Sequence, residues 1–151
     1  MGRAKRHRVN ILVSSCLLGD MVRFDGGNYY DQDVVDLGKR FNLVSVCPER
    51  MGGLKTPREP SEMQPDGRVV SWDRIDNTWN FEEGARIALK IAQDNNCKIA
   101  ILKSKSPSCG KGQIFDGTFK GNLVPGYGIT AQLLIQNGIT VYTQDEIDKI
   151  I

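Results

Sequence analysis

A chain of 151 residues with 40% hydrophobic and 25% charged content has room for one core and one domain, which makes a second domain an unneeded assumption. Its formal charge of +2 hides a split, because Arg3, Lys5, Arg6 and Arg8 crowd residues 1–8 and leave 16 basic residues against 18 acidic ones in the body. That body offers no basic face to nucleic acid, and the short tail reads as a solvated, disordered end. The longest apolar runs, such as residues 11 to 13 and 133 to 135, are far too short for a signal core or a membrane span, which predicts a cytoplasmic protein.

Residues 9 to 14, VNILVS, form an apolar, β-branched run broken by SCLLGD, so a strand should end just before Cys16. Val34, Val35 and Leu37 allow a short helix over 31 to 40, capped by Asp31. FNLVSV at 41 to 46 reads as a second strand, stopped at Cys47-Pro48 because proline cannot donate to a ladder. From 49 to 80 glycines, prolines and charges predict a long loop, with GRVVSW at 67 to 72 as a small strand inside it. Phe81, Ala85, Ala88, Leu89 and Ala92 then share one face of a helix over 81 to 94. KIAILK at 98 to 103 is a third strand, followed by SKSPSCGKG. ITAQLLIQ at 129 to 136 reads as a helix closed at Asn137-Gly138, ITVYT as a fourth strand and QDEIDKII as a last helical turn. Strands alternating with helices predict a single-domain α/β fold over residues 9–151: an open, mainly parallel, Rossmann-like sheet of about four strands with helices on both faces.

Ligands of such sheets bind beyond the carboxyl ends of the strands. Cys16, Cys47 and Cys109 all lie past predicted strand ends. Cys97 precedes its strand, roughly 16 Å from that edge at ~3.3 Å per residue, and reads as a small core hydrophobe. Four cysteines in a reducing compartment make metal binding or catalysis a better expectation than a disulfide scaffold. Three thiolates from separate loops can hold zinc, form a reactive-cysteine site, or ligate three irons of an iron-sulfur cluster. The single histidine, His7, lies in the tail, which argues against a Cys-His pair or a Ser-His-Asp triad. Zinc stays open, with Glu49 as a fourth ligand, although paired C-x-x-C knuckles are absent. A cluster and inert buried thiols stay open beside it.

The neighbours add chemistry. Ser106 and Ser108 precede Cys109-Gly110 with hydroxyls able to hydrogen-bond a sulfide or a substrate. Glu49, two residues after Cys47, is a candidate proton donor or acceptor. Arg58 offers a guanidinium to an anion or a carbonyl oxygen. Gly126-Tyr127-Gly128 stands where backbone N–H groups at a helix start could meet a polar ligand, whereas Asp25-Gly26 and Asp116-Gly117 are turn signals.

The ordered set VSSCLLG, VRFDG, VCPE, GGLKTPR, SPSCG, FDGTF and GYGITAQLL closely resembles the small bacterial family catalogued as domain of unknown function 523, across roughly residues 9 to 143. Members resembling thiouracil desulfurase use a 4Fe-4S cluster held by three cysteines, and the matching positions are Cys16, Cys47 and Cys109. The resemblance implies non-redox desulfuration of a small-molecule thiolated pyrimidine such as thiouracil, the sulfur being captured by the iron that has no protein ligand. Glu49 is then expected to transfer protons, with Ser106 or Ser108 positioning substrate or sulfur. Two other activities suit the same frame: a non-catalytic zinc- or cluster-binding module recognising a nucleotide or RNA, and a sulfur-transfer enzyme working in the thiolating direction.

Overall fold

The computed structural model describes residues 8–150. Most of the basic tail, His7 included, lies outside the described residues; Arg8, its last member, donates to the Gly38 carbonyl at 3.0 Å.

Strands β1 (Asn10–Ser14), β2 (Asn42–Val46), β5 (Ile99–Leu102) and β8 (Thr140–Thr143) form one sheet in the order β2-β1-β5-β8, every pairing parallel. The expected α/β architecture is therefore the observed one. A parallel sheet must be covered on both faces, and the strand residues divide accordingly. Leu12, Val46, Ala100, Leu102 and Val141 pack under Ala88 and Ala92 of α3 (Thr78–Asp94) and Ala131 and Leu134 of α4 (Ile129–Gln136). Ile11, Val13 and Ile101 face the other way, against Val34 of α1 (Gln32–Asp36), Leu37, and Ile147 of the C-terminal 3-10 turn Gln144–Lys149. Asp31 caps α1 as its sequence predicts, its side chain accepting from Asp33 N and Val34 N.

The long loop holds more structure than its composition suggests. Pro48 opens a one-turn helix α2 (Pro48–Met51), a position where the missing N–H costs nothing. Two antiparallel hairpins, β3 (Ser61–Met63) with β4 (Val69–Ser71) and β6 (Gln113–Phe115) with β7 (Leu123–Pro125), complete the fold. Only β4 lies where a strand was expected, because three-residue strands leave no periodicity to read. Helix α3 also begins three residues before Phe81. It packs against α2 at a contact only glycine permits: a Cβ on Gly84 would lie 1.9 Å from the Pro48 carbonyl oxygen, and one on Gly52 at 1.9 Å from that of Asn80.

At the end of β8, Thr143 and Glu146 form a capping box, and Glu146 also holds Lys111 and Lys149, both at 2.9 Å. Burial raises the pKa of this carboxyl, but Lys149, Lys111 and the Thr143 N–H outweigh it and hold the group at about 2 against an ordinary 4.5. On acidification the unfolded chain takes up this proton first, so the stabilisation is present above pH 4.5 and is lost as pH falls through about 2. Glu146→Gln should lower stability by roughly 1 to 2 kcal/mol at neutral pH. In urea unfolding curves the gap from wild type should narrow below pH 4.5; a gap independent of pH would contradict the charge-based account.

Candidate functional site

The strand order reverses direction between β1 and β5: the chain leaves β1 toward β2 on one side and later returns to build β5 and β8 on the other. Loops that diverge at such a switch point leave a crevice beyond the strand ends. A cavity of about 490 Å³ occupies it, and Cys16, Cys47 and Cys109 all line it.

Each cysteine is delivered by a different device. Cys16 sits in a 3-10 turn (Ser15–Leu18) directly after β1, and its carbonyl accepts from Gly19 N at 3.3 Å and Tyr29 N at 3.0 Å. Cys47 follows β2 and is the N-cap residue of α2. Cys109 lies seven residues beyond β5, on a loop held by the start of α4: Ile129 N donates to Pro107 O at 2.9 Å and Thr130 N to Ser108 O at 2.8 Å. The Gly126-Tyr127-Gly128 segment therefore spends the helix N-terminus on this loop instead of on a ligand. A Cβ on Gly128 would meet Ser108 C and O at 2.4 Å, so the approach demands glycine there. Cys97 stands apart in the core, 3% exposed.

Ser106 Oγ accepts from Cys109 N at 2.6 Å and from Ser108 N at 3.2 Å, and Ser106 itself lines the cavity. Ser108 stands behind the cysteine; its hydroxyl is 3.0 Å from Thr130 Oγ1 and accepts from Cys109 Sγ at 3.8 Å. From β1, Ser14 Oγ donates to Cys109 Sγ at 3.4 Å while accepting from Lys103 N at 3.1 Å, tying two strand ends to one sulfur. Glu49 projects from α2 into a charge-assisted pair in which Arg58 Nε and Nη2 both donate to Oε2. Arg58 is anchored in turn on the carbonyls of Val22 (3.0 Å) and Lys55 (3.1 Å). The guanidinium thus orients the carboxylate.

Burial pushes the Cys16 thiol up to about 12, with further upward contributions from Cys109 and Cys47. Burial likewise raises Cys109, to about 11, although hydrogen bonding from Ser14 opposes it, and it raises Cys47. Burial thus favours the neutral thiol at all three positions, although only Cys109 is fully buried and Cys16 and Cys47 stay partly exposed. Lys103 is the cation that opposes the upward shift of Cys16; burial lowers its own pKa, and its ammonium lies 4.5 Å from the centre of the Tyr29 ring. Ser15 Oγ, in a residue 4% exposed on the cavity wall, has no hydrogen-bond partner among the described residues. Nor, among them, do three His, Cys, Asp or Glu side chains converge closely enough for one metal ion.

The residues sequence reasoning missed are Ser14, Ser15, Lys103, Tyr29, Trp72 and Phe119. Ser14-Ser15, adjoining Cys16, were the most accessible of these from sequence; the aromatic residues required the hairpins.

Sheet, switch point and thiol-lined crevice together define a small-molecule site of the doubly wound α/β class. The sequence profile of the 2-thiouracil desulfurase family matches residues 11–146, and the chain belongs to that family of desulfurase enzymes. It is 38% identical over 150 residues to the uncharacterized protein YbbK of Bacillus subtilis strain 168, a match covering 93% of this chain and 99% of the relative. A solved structure described as a 4Fe-4S-dependent thiouracil desulfidase, TudS, superposes with a TM-score of 0.88 at 39% identity, covering 94% of this chain and 95% of that one. Among the described residues no helix is long and apolar enough to cross a membrane.

Gly84→Ala forces α3 away from the turn that carries Cys47 and Glu49. It should cost upwards of roughly 2 kcal/mol, read as a lowered urea midpoint. A midpoint unchanged from wild type would show that the helices separate without cost.

Proposed function

We propose that this chain is a cytoplasmic bacterial enzyme, a single domain over residues 9–151, that removes sulfur from a small thiolated pyrimidine such as thiouracil without redox chemistry. The observation that carries this reading is the meeting of three thiols from three separate strand ends in one cavity, in a chain of the desulfurase family. All four cysteines are free thiols, which suits a reducing compartment.

Cys16, Cys47 and Cys109 are assigned as the holders of a 4Fe-4S cluster. The donor set fits that group, because soft thiolates suit iron-sulfur clusters. Ser15 Oγ, otherwise unpartnered, fits it as well, since bridging sulfides accept hydrogen bonds. When bound, the cluster supplies a Lewis-acidic iron without a protein ligand, able to take the thiocarbonyl sulfur.

The protein residues do the rest. Glu49, steadied by Arg58, accepts a proton from the water whose oxygen bonds to the ring carbon, and returns it as the carbon–sulfur bond breaks. Ser106 positions the substrate from the cavity wall, and Ser108 holds the sulfur of Cys109 from behind. The departing sulfur takes that proton and also the second proton of the water, which leaves the new ring oxygen as the carbonyl forms, so that one water and one thiouracil give uracil and hydrogen sulfide with no electron transferred to or from an external partner.

Protein purified without oxygen should be brown, carry about four irons per chain, and release sulfide and uracil in equal amounts from thiouracil. Cys16→Ser, Cys47→Ser and Cys109→Ser should each lose the cluster, whereas Cys97→Ser keeps it. Glu49→Gln should keep full iron content and lose at least about a hundredfold in kcat. Full iron retention in any of the first three variants would break the ligand assignment, and unimpaired turnover by Glu49→Gln would remove the proton-transfer role.

A further inference from the structure

The wall of the cavity formed by the hairpins is aromatic. Trp72, directly after β4, and Phe119, in the loop after β6, both line it and meet edge to face, with ring centres 5.5 Å apart and planes at 77°. Trp72 is 60% exposed, which leaves most of its indole uncovered by protein. Tyr29 also lines the cavity, but its ring is already engaged by Lys103 and by Arg23, the latter at 5.0 Å. Among the described residues no cation lies over Trp72 or Phe119.

The position of Phe119 is enforced. Its φ of +59° lies in the left-handed region, which a bulky L-residue avoids without external support. That support is Glu62 on β3, 9% exposed, whose Oε1 accepts from both Phe119 N and Gly117 N at 3.0 Å. Gln64 secures the same loop by donating to Gly117 O at 3.2 Å. Gly117 itself has φ +94°, and a Cβ there would press on Met63 O at 3.0 Å. One hairpin thus fixes a strained loop of the other so that a phenyl ring stands beside an exposed indole at the entrance to the thiol cavity.

We infer that Trp72 and Phe119 form a stacking subsite for the planar heteroaromatic ring of the substrate, with Glu62 as the residue that positions it. The inference rests on the desulfurase reading of the same cavity and adds how the ring is selected. A flat π-system gains from stacking on these rings, whereas a saturated ring with the same polar edge does not. Glu62 is a positioning residue, acting through the two backbone N–H groups it holds.

The test compares uracil with 5,6-dihydrouracil, which keeps the carbonyl and N–H groups but has lost the planar ring. Both are titrated calorimetrically into cluster-loaded protein prepared without oxygen. Wild type should bind uracil about tenfold more tightly, and Trp72→Leu and Phe119→Leu should each remove most of that preference while raising KM for thiouracil and leaving kcat within about twofold. Glu62→Ala should act like Phe119→Leu, and Glu62→Gln, which retains a carbonyl oxygen as acceptor, should restore the preference. In a Trp79→Phe background Trp72 is the only tryptophan, and uracil should alter its emission. Equal affinity for the two ligands in wild type, or a preference that survives both aromatic substitutions, overturns the inference. Should wild type bind uracil with this preference but release no sulfide from thiouracil, the stacking subsite stands and the desulfuration reading fails.

Discussion

Parallel pairing of β1 with β2 on one side and with β5 on the other sends the chain out of all three strands at the same edge of the sheet. This arrangement brings residues 16, 47 and 109 to one cavity although they are separated by dozens of residues and come from loops of different kinds. The register matters as much as the direction. Ser14 ends β1 level with Val46 at the end of β2, so the turn bearing Cys16 and the residue after β2, Cys47, start from the same height. Because both faces of the sheet are packed with aliphatic side chains, a slip of one residue would bury the wrong set, and core packing therefore guards the geometry of the site.

That convergence sets three thiols from three strand ends on the wall of one cavity. Burial favours the protonated thiol at each of them, and the hydrogen bond from Ser14 to Cys109 only partly offsets this at Cys109. A bound multivalent cation reverses the balance, because it stabilises every thiolate at once. Around the sulfurs the protein has placed groups of opposite character: Lys103 near Cys16, and Glu49 pinned by Arg58 near Cys47. The carboxylate is kept in place by a neighbour that is itself tied to two backbone carbonyls, the single orientation that the proposed proton-transfer role requires.

The parts of this arrangement that were legible in the sequence are those with a periodic or punctuated signal. Four apolar runs, three of them ending at serine or proline, identified the strands, and the ends of those three located three cysteines at one edge and Cys97 away from it. The motif resemblance then pointed to the same three cysteines. Less was visible in residues 49 to 80, where Pro48–Met51 and Ser61–Met63 are too short to carry a period and draw their order from contacts distant in sequence, such as Gly84 on Pro48. Arg58 illustrates the limit: its charge was evident, but its pairing with Glu49 depends on a loop whose path composition does not specify. The glycines of residues 126 to 128 show the reverse case, a plausible ligand-binding helix start whose N–H groups are consumed by the Cys109 loop.

Chemistry and selectivity are therefore built from different structural layers. The parallel sheet supplies the thiols and, through the turn after β2, the carboxylate; these positions are fixed by the core and leave little room to vary. The hairpins supply the aromatic wall and depend on a few local hydrogen bonds, above all those from Gly117 N and Phe119 N to Glu62. Loss of those bonds releases one strained loop without disturbing the sheet, because the β3–β4 and β6–β7 pairings are separate from it. The fold thus permits the proposed ring-stacking surface to change while the cysteine-lined end of the cavity stays as it is, which is the separation that selection among heterocycles would need.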